Sequence, residues 1–405
     1  MSPVTRKIFL AAALSLAAMR ALAQTSQDPS AGAKIHIGPL AMTPTIALVN
    51  AGIDTNVFNE ADQDLPKRDF TITMQPAASM WLHVGRSILI GNVTEDVVYY
   101  RTYSNQRSAN TSLKIGILVP LTRLTLRGNA GYIHAKDRPG FEIDARLQRR
   151  ELLYDGGVEL RALAKTFIGV KGTRQNVDYS ESAVFLGSNI RNELNRTVTG
   201  AALTIRHQLT PLTSINLDVG KQQDRFEFSQ LRDSDSTQVN VGFVFDPFAL
   251  LKGAATVGYR NFQPRVEGLQ NFRGVTAAVD LSYVAFGTTK LSIQGARDVQ
   301  YSFDVDQPYF LQTGGTISLT QQIFGPVDVM GRIGVQRLDY QSRAGAIVVA
   351  PNRSDYIHLY GGGFGYHLGT DVRIGFNVDK ATRRSALTSR TYSGLRYGTS
   401  ATYGF

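Results

Sequence analysis

From residue 45 onward the sequence passes through eighteen segments in which apolar and polar residues alternate, joined by connections that are alternately short and long. Alternation at a period of two gives an extended strand one apolar and one polar face. Val239, Val241, Phe243 and Phe245 oppose Gln238, Asn240 and Gly242. Ile215, Leu217 and Val219 oppose Asn216 and Asp218, and Val372, Ile374, Phe376 and Val378 oppose Arg373, Gly375, Asn377 and Asp379. The predicted strands are 45–58, 69–84, 87–101, 110–119, 123–135, 149–163, 166–179, 194–207, 212–227, 236–246, 252–263, 273–285, 288–303, 311–323, 327–341, 355–368, 370–383 and 391–405. Short turns fall at 85–86, 120–122, 164–165, 210–211, 286–287, 325–326 and 369. Long charged loops fall at 59–68, 136–148, 180–193, 229–235, 264–272, 304–310, 342–354 and 384–390. A soluble sandwich has no reason to keep this alternation. A transmembrane antiparallel up-and-down β-barrel does, with short periplasmic turns and longer extracellular loops. The count is about eighteen strands, with sixteen as the alternative. Pro76 lies inside 69–84, where its missing N–H predicts a bulge or a break.

The two ends of the chain carry matching expectations. Counting back from Phe405 in steps of two gives Tyr403, Ala401, Thr399, Tyr397 and Leu395, an aromatic and apolar face. Such a closing strand resembles the signal read by the barrel-insertion machinery, with Tyr397, Tyr403 and Phe405 as its aromatic residues. At the other end Arg6 and Lys7 precede an apolar run, Ile8 to Met19, and then Ala21-Leu22-Ala23. That order predicts a signal peptide over 1–23, since the run is shorter than the roughly 20 residues a membrane helix needs. Residues 24–37 are a polar periplasmic lead-in, and 38–405 form the barrel. The expected location is the outer membrane of a Gram-negative-type bacterium.

Composition narrows the functional classes. Hydrophobic residues make up 43% of the chain, yet alternation spreads them, so each strand can have a lipid face without a long apolar block. The chain has no cysteine, which excludes disulfides and thiolate chemistry. The net charge is +10, of which +7 remains once residues 1–23 are removed. No nucleic-acid motif accompanies this charge. Basic loops beside outer-membrane lipids and lipopolysaccharide, or a lumen that attracts anions, account for it more simply.

A lipid-facing Arg or Lys at mid-membrane costs roughly 2–4 kcal/mol, so charged faces are expected to point inward. The predicted lumen-lining residues are Arg127, Lys171, Asp218, Asp280, Arg332, Arg373, Asp379 and Arg396. An eighteen-stranded bore is wide enough for a water channel, and these charges imply a modest anion preference. A channel is therefore the leading expectation, for small solutes or exported polysaccharide. A loop-plugged structural or surface-interaction barrel is the alternative, and a barrel hydrolase comes last. Six histidines are present, at 36, 83, 134, 207, 358 and 367, but no hydrolase motif or metal-ligand spacing surrounds them. No enzyme activity, catalytic residue, metal or cofactor is expected. Gly361-Gly362-Gly363-Phe364-Gly365 lies within a strand without a following Lys-Ser/Thr, so close strand packing or a kink explains it better than a phosphate loop.

The start of the barrel is more specific. Gly38-Pro39-Leu40, Pro44-Thr45-Ile46-Ala47-Leu48, Gly52-Ile53-Asp54-Thr55-Asn56-Val57-Phe58 and Asp69-Phe70-Thr71-Ile72-Thr73-Met74-Gln75-Pro76 resemble the opening of the type-2 β-barrel porin family. Asp54, Asn56 and Phe58 match the family's motif, although Ile53 stands where an aromatic residue is common. The resemblance covers nearly all of 38–405 and implies an outer-membrane barrel. Many members are associated with exopolysaccharide export, which implies passage of a glycan and polysaccharide-export components as partners.

Overall fold

The computed structural model describes residues 28–404 apart from Phe248, Ile347 and Val349. The expected signal peptide, the start of the lead-in and Phe405 lie outside the described residues.

Eighteen strands form the wall. They are β1 (Leu40–Asp54), β2 (Asp69–Val84), β3 (Ser87–Tyr100), β4 (Ser108–Pro120), β5 (Leu124–Asp137), β6 (Leu147–Leu163), β7 (Thr166–Tyr179), β8 (Arg196–Thr210) and β9 (Thr213–Phe226). The second half comprises β10 (Ser234–Phe245), β11 (Leu251–Pro264), β12 (Phe272–Ala285), β13 (Thr289–Tyr301), β14 (Tyr309–Phe324), β15 (Val327–Gln341), β16 (Ser354–Leu368), β17 (Val372–Arg384) and β18 (Tyr392–Tyr403). Each strand pairs antiparallel with its chain neighbours, and β18 returns to β1 with Ile46 opposite Tyr403 and Asp54 opposite Arg396. Closure leaves no unpaired edge, which is the condition for strands to cross lipid.

The outer face is apolar. Leu203, Val241, Val257, Ile317, Ile333 and Phe364 are all exposed, while their strand neighbours Thr204, Asn240, Thr256, Thr316 and Gly334 are buried inward. No helix among the described residues is long and apolar enough to cross a membrane, which says nothing about crossing by strands.

The seam shows how the chain manages closure. Residue Val49 is an extra residue in β1, where the ladders to both β2 and β18 shift register; such a bulge increases local twist. Gly52 then lies against β18 so closely that a Cβ there would overlap the Tyr397 carbonyl and Gly398 Cα. A larger residue at Gly52 would push the first and last strands apart.

Several expectations are refined. The eighteen-strand count holds. The first strand ends at Asp54 rather than at 58, because the Asp54 carboxylate accepts the Asn56 N–H at 3.0 Å and turns the chain. Strand β2 runs unbroken through Pro76. Only the rungs to β3 are lost there, with pairing passing from Met74–Val97 directly to Ala77–Thr94. Gln75 reaches across that gap to Asp96 at 2.5 Å. The described part of the lead-in is held at the rim that carries the short turns: Ile35–Ile37 pairs with Leu40–Met42, Lys34 bonds Asp371 at 2.6 Å and Asp28 meets His83 at 3.2 Å.

Candidate functional site

The eight predicted lumen residues lie on inward-facing strand positions, but most are not free charges. Arg332 pairs with Asp379, and Arg396 with Asp54 at 2.5 Å. Arg373 makes a forked contact with Asp328 at 2.6 and 2.7 Å, and His367 meets the same carboxylate at 2.7 Å. Lys171 meets Asp218 at 3.3 Å, while Gln294 donates to Asp280 at 3.3 Å. Arg127 lies beside Gly157 and the Asp155 carboxylate. The wall is a mosaic of acid–base pairs between nearby strands rather than a basic surface.

The glycine run in β16 serves this mosaic. A Cβ at Gly361 would overlap Arg332 and Asp379, one at Gly363 would overlap Asn377, and one at Gly365 would overlap Arg373. The absence of side chains lets these charged groups lie flat against the wall. This places the run in close packing, as the sequence implied.

The decisive feature is a loop assigned in the sequence to the extracellular side. Between β5 and β6, residues 138–146 (Arg-Pro-Gly-Phe-Glu-Ile-Asp-Ala-Arg) turn inward and cross the barrel to strands and loops on the far wall. Phe141, Glu142, Ile143 and Asp144 are all buried. At the near side, Arg146 donates to the Tyr100 hydroxyl at 2.8 Å and to Ser108 Oγ at 2.7 Å. On the far wall, Arg383 Nη1 donates to the Phe141 carbonyl at 2.9 Å, the Glu142 carbonyl at 3.2 Å and Asp144 Oδ2 at 2.9 Å. Arg390 donates to the Glu142 carbonyl and to Asp144 Oδ2, and the Tyr392 hydroxyl donates to Asp144 Oδ1 at 3.0 Å. Ser302 Oγ and the Phe303 N–H both donate to the Glu142 carboxylate. Phe141 packs in an apolar cluster with Phe310, Leu338, Tyr340 and Ile357.

The crossing segment divides the lumen. On one side lies a cavity of about 220 Å³ lined by Arg149, Glu151, Lys171, Asp218, Arg260 and the amides Gln175, Gln222, Gln238, Asn240 and Gln312. On the other lies a cavity of about 160 Å³ lined by Asp54, Asn56, Arg332, Asp379, Arg396 and Leu359. Gly140 borders both. Of the predicted residues, Lys171 and Asp218 therefore share one cavity, and Arg332, Asp379 and Arg396 share the other. Arg127, Asp280 and Arg373 belong to neither.

Burial pushes the Glu142 carboxyl above the usual carboxylate range; the Ser302 hydroxyl, Arg390, the Phe303 N–H and Arg383 oppose the shift without cancelling it. An acid whose folded pKa is raised contributes stability that is full below its unfolded pKa and is lost as pH rises through the folded one. The segment should therefore be held more firmly in mild acid. In recordings across this pH range, wild type should grow noisier as pH rises, whereas Glu142→Gln should show no such trend.

The motif residues sit at the seam, beside this segment. Asn56 Nδ2 donates to the Glu60 and Ser393 carbonyls at 2.9 and 3.1 Å. Asp54 receives Arg396 from β18, and Phe58 meets Tyr103 edge-on at 4.9 Å. Arg138 donates to the Val57 carbonyl at 2.7 Å, tying the motif turn to the crossing segment. Tyr397 and Tyr403 face outward and are exposed. His134 meets Gln148, and His358 stacks on Tyr360, so neither joins a nucleophile. Among the described residues no cluster of His, Cys, Asp or Glu is placed to hold a metal.

No curated protein matches the sequence significantly. Solved structures that are similar include outer membrane protein OpdK of Pseudomonas aeruginosa (10% identity, TM-score 0.48, 89% of this chain and 97% of that one). They also include OccK2 (OpdF) of the same organism in complex with glucuronate (9% identity, TM-score 0.49, 90% and 98%). A third is the FrpB iron transporter of Neisseria meningitidis, F3-3 variant (10% identity, TM-score 0.41), of whose length this chain spans 62% while 85% of this chain is covered. The family profile described as "Putative beta-barrel porin 2" matches residues 28–403, so the chain belongs to that family of β-barrel porins.

Proposed function

We propose that the protein is an outer-membrane channel for hydrophilic solutes whose bore is restricted by the crossing segment at 138–146. The observation that carries this reading is the segment's position across the lumen, with a polar cavity on one side and, on the other, a more apolar cavity bordered by Asp54, Arg332, Asp379 and Arg396. The paired charges point to weak ion selectivity, and the amides Gln175, Gln222, Gln238, Asn240 and Gln312 are suited to hydroxyl-rich solutes. The family resemblance adds exported polysaccharide as a substrate class, with polysaccharide-export components as partners, and the order of residues 6–23 adds a signal peptide for export to a Gram-negative outer membrane. Nothing in this reading calls for catalysis.

One observation favours a plugged barrel. Ile143 packs with Tyr179, Ile190, Leu194, Phe226 and Phe303 in one apolar cluster, and Arg390 lies 5.0 Å from the Phe185 ring. This cluster brings together loops from well-separated strands above the lumen. Planar-bilayer recording and sugar-driven liposome swelling separate the two readings. The channel reading expects discrete current steps, near-equal anion and cation permeability, and swelling with small sugars. Insertion with neither current nor swelling would transfer the protein to the plugged reading.

A further inference from the structure

The outward face of the barrel carries a feature that the channel does not use. Along one hydrogen-bonded row of five neighbouring strands, Arg297 on β13 lies opposite Thr313, Thr313 opposite Arg337, Arg337 opposite Tyr356, and Tyr356 opposite Arg384. With strands about 4.8 Å apart, the three arginines recur about every 10 Å. All three point away from the lumen. Their inward neighbours on the same strands are Asp298, Gln336 and Arg383, which make lumenal contacts or are buried. Arg273, also exposed, extends the patch on β12, while Lys380 lies lower on β17, opposite Tyr360.

The row stands at the upper border of the apolar belt. Below it on the same outward faces come Ile293, Ile317, Ile333, Tyr360 and Val378, all exposed. Charge in that belt is costly unless a long stem carries it out of the belt, as the Lys380 side chain can, so the three arginines belong at headgroup height. The one acid on this face of the row's strands is Asp339, which binds Arg337 at 2.6 Å. Arg297 is oriented by Thr313 at 2.8 Å and by the Val275 carbonyl at 3.1 Å, and the Arg337 guanidinium lies 5.6 Å from the Tyr356 ring. The β2–β3 side differs. Upper outward strand positions on β2 and β3 are Phe70, Ile72, Val97 and Tyr99, with Arg101 and Arg107 in the loop above, Arg107 over the Tyr99 ring at 4.4 Å.

We propose that Arg297, Arg337 and Arg384 form a binding row for the phosphate groups of an anionic lipid in the outer leaflet. Guanidinium forks at regular spacing fit phosphate oxygens, and the apolar surface beneath takes the acyl chains. A free anion would use only the upper part of this surface. The proposal rests on the outer-membrane reading, and its test separates the two.

The full-length protein is inserted into zwitterionic vesicles containing or lacking lipopolysaccharide, and lipopolysaccharide binding is measured by titration in mild detergent. Wild type should bind, while Arg297→Gln/Arg337→Gln/Arg384→Gln should bind at least fivefold more weakly. Arg150→Gln/Arg174→Gln, altering outward arginines on β6 and β7, should match wild type. Dephosphorylated lipopolysaccharide should bind poorly, and inorganic phosphate should not compete at millimolar concentration. Arg384→Gln alone, at a strand end, should show an intermediate loss and covers the case in which the triple variant fails to assemble. Equal binding by wild type and the row variants overturns the proposal, as does equal loss in the β6–β7 control. Full competition by inorganic phosphate would make the row a general anion site and overturn the lipid assignment. Normal insertion with indifference to lipopolysaccharide defeats the row alone. Failure to insert into any vesicle defeats the membrane reading and the row together.

Discussion

Replacing residues 139–145 by a short Gly-Ser linker should raise single-channel conductance several-fold while leaving the barrel assembled. Conductance follows the narrowest cross-section, and here that cross-section is set by one peptide segment rather than by the wall. An eighteen-stranded wall alone encloses a water-filled bore. The strands keep their pairing without the segment, since none of its residues contributes to a ladder. The linker variant should also admit larger sugars in liposome swelling. Unchanged conductance with normal assembly would place the restriction elsewhere, in the apolar cluster of Tyr179, Ile190, Phe226 and Phe303 or in another loop.

The second large effect concerns the anchor of that segment. The Arg383 side chain is fully buried and donates to two backbone carbonyls, to Asp144 and to Asp355 at 2.5 Å. Arg353 holds Asp355 from the other side at 2.6 and 2.9 Å. Removing one member of a buried, hydrogen-bonded ion network leaves its partners desolvated, typically at a cost of about 3–5 kcal/mol. Arg383→Ala should therefore lower resistance to heat or urea unfolding in detergent by an amount of that order. It should also make the current fluctuate between restricted and open levels. Arg337→Ala, an outward arginine on the neighbouring wall with an exposed ion pair, should change stability by no more than about 1 kcal/mol. A variant at Arg383 as stable as wild type would mean that Arg390 and Tyr392 hold Asp144 unaided.

Much of the fold was legible because a barrel strand reports its two faces locally. Alternation in segments such as 236–246 and 372–378 assigned the lipid and lumen faces without knowledge of any partner, and the observed parity agrees. Strand ends were less legible where side chains turn the chain. Thr55-Asn56-Val57-Phe58 has strand-like composition, yet the Asp54 carboxylate captures the Asn56 N–H and ends β1. Pro76 removes rungs on one side without breaking the strand, an outcome that depends on which neighbour its face meets.

The site was much less legible. Arg332 and Asp379 lie on β15 and β17, and they meet across Gly361 only because three registers coincide. No spacing in one chain encodes that pairing, so the arginines counted toward an anion-selective lumen when the wall is in fact largely neutralised. The inward course of 138–146 depends on contacts with Arg383 and Arg390, more than 230 residues away in sequence. One local signal was present: Phe141 and Ile143 are large apolar residues inside a loop otherwise expected to stand in water. Apolar residues of that kind in a barrel loop mark a segment that folds inward.

A unique cross-link shows directly whether 138–146 crosses the lumen. The native sequence has no cysteine, so Glu142→Cys with Ser302→Cys introduces a single thiol pair at two side chains that meet at 2.6 Å. In the membrane-inserted protein a short bis-maleimide should join the two positions in high yield. The product should show altered gel migration, unchanged conductance and loss of the pH-dependent noise. No cross-link in the assembled barrel, with both thiols shown to be reactive toward monofunctional reagent, would place the segment outside the lumen and contradict the account.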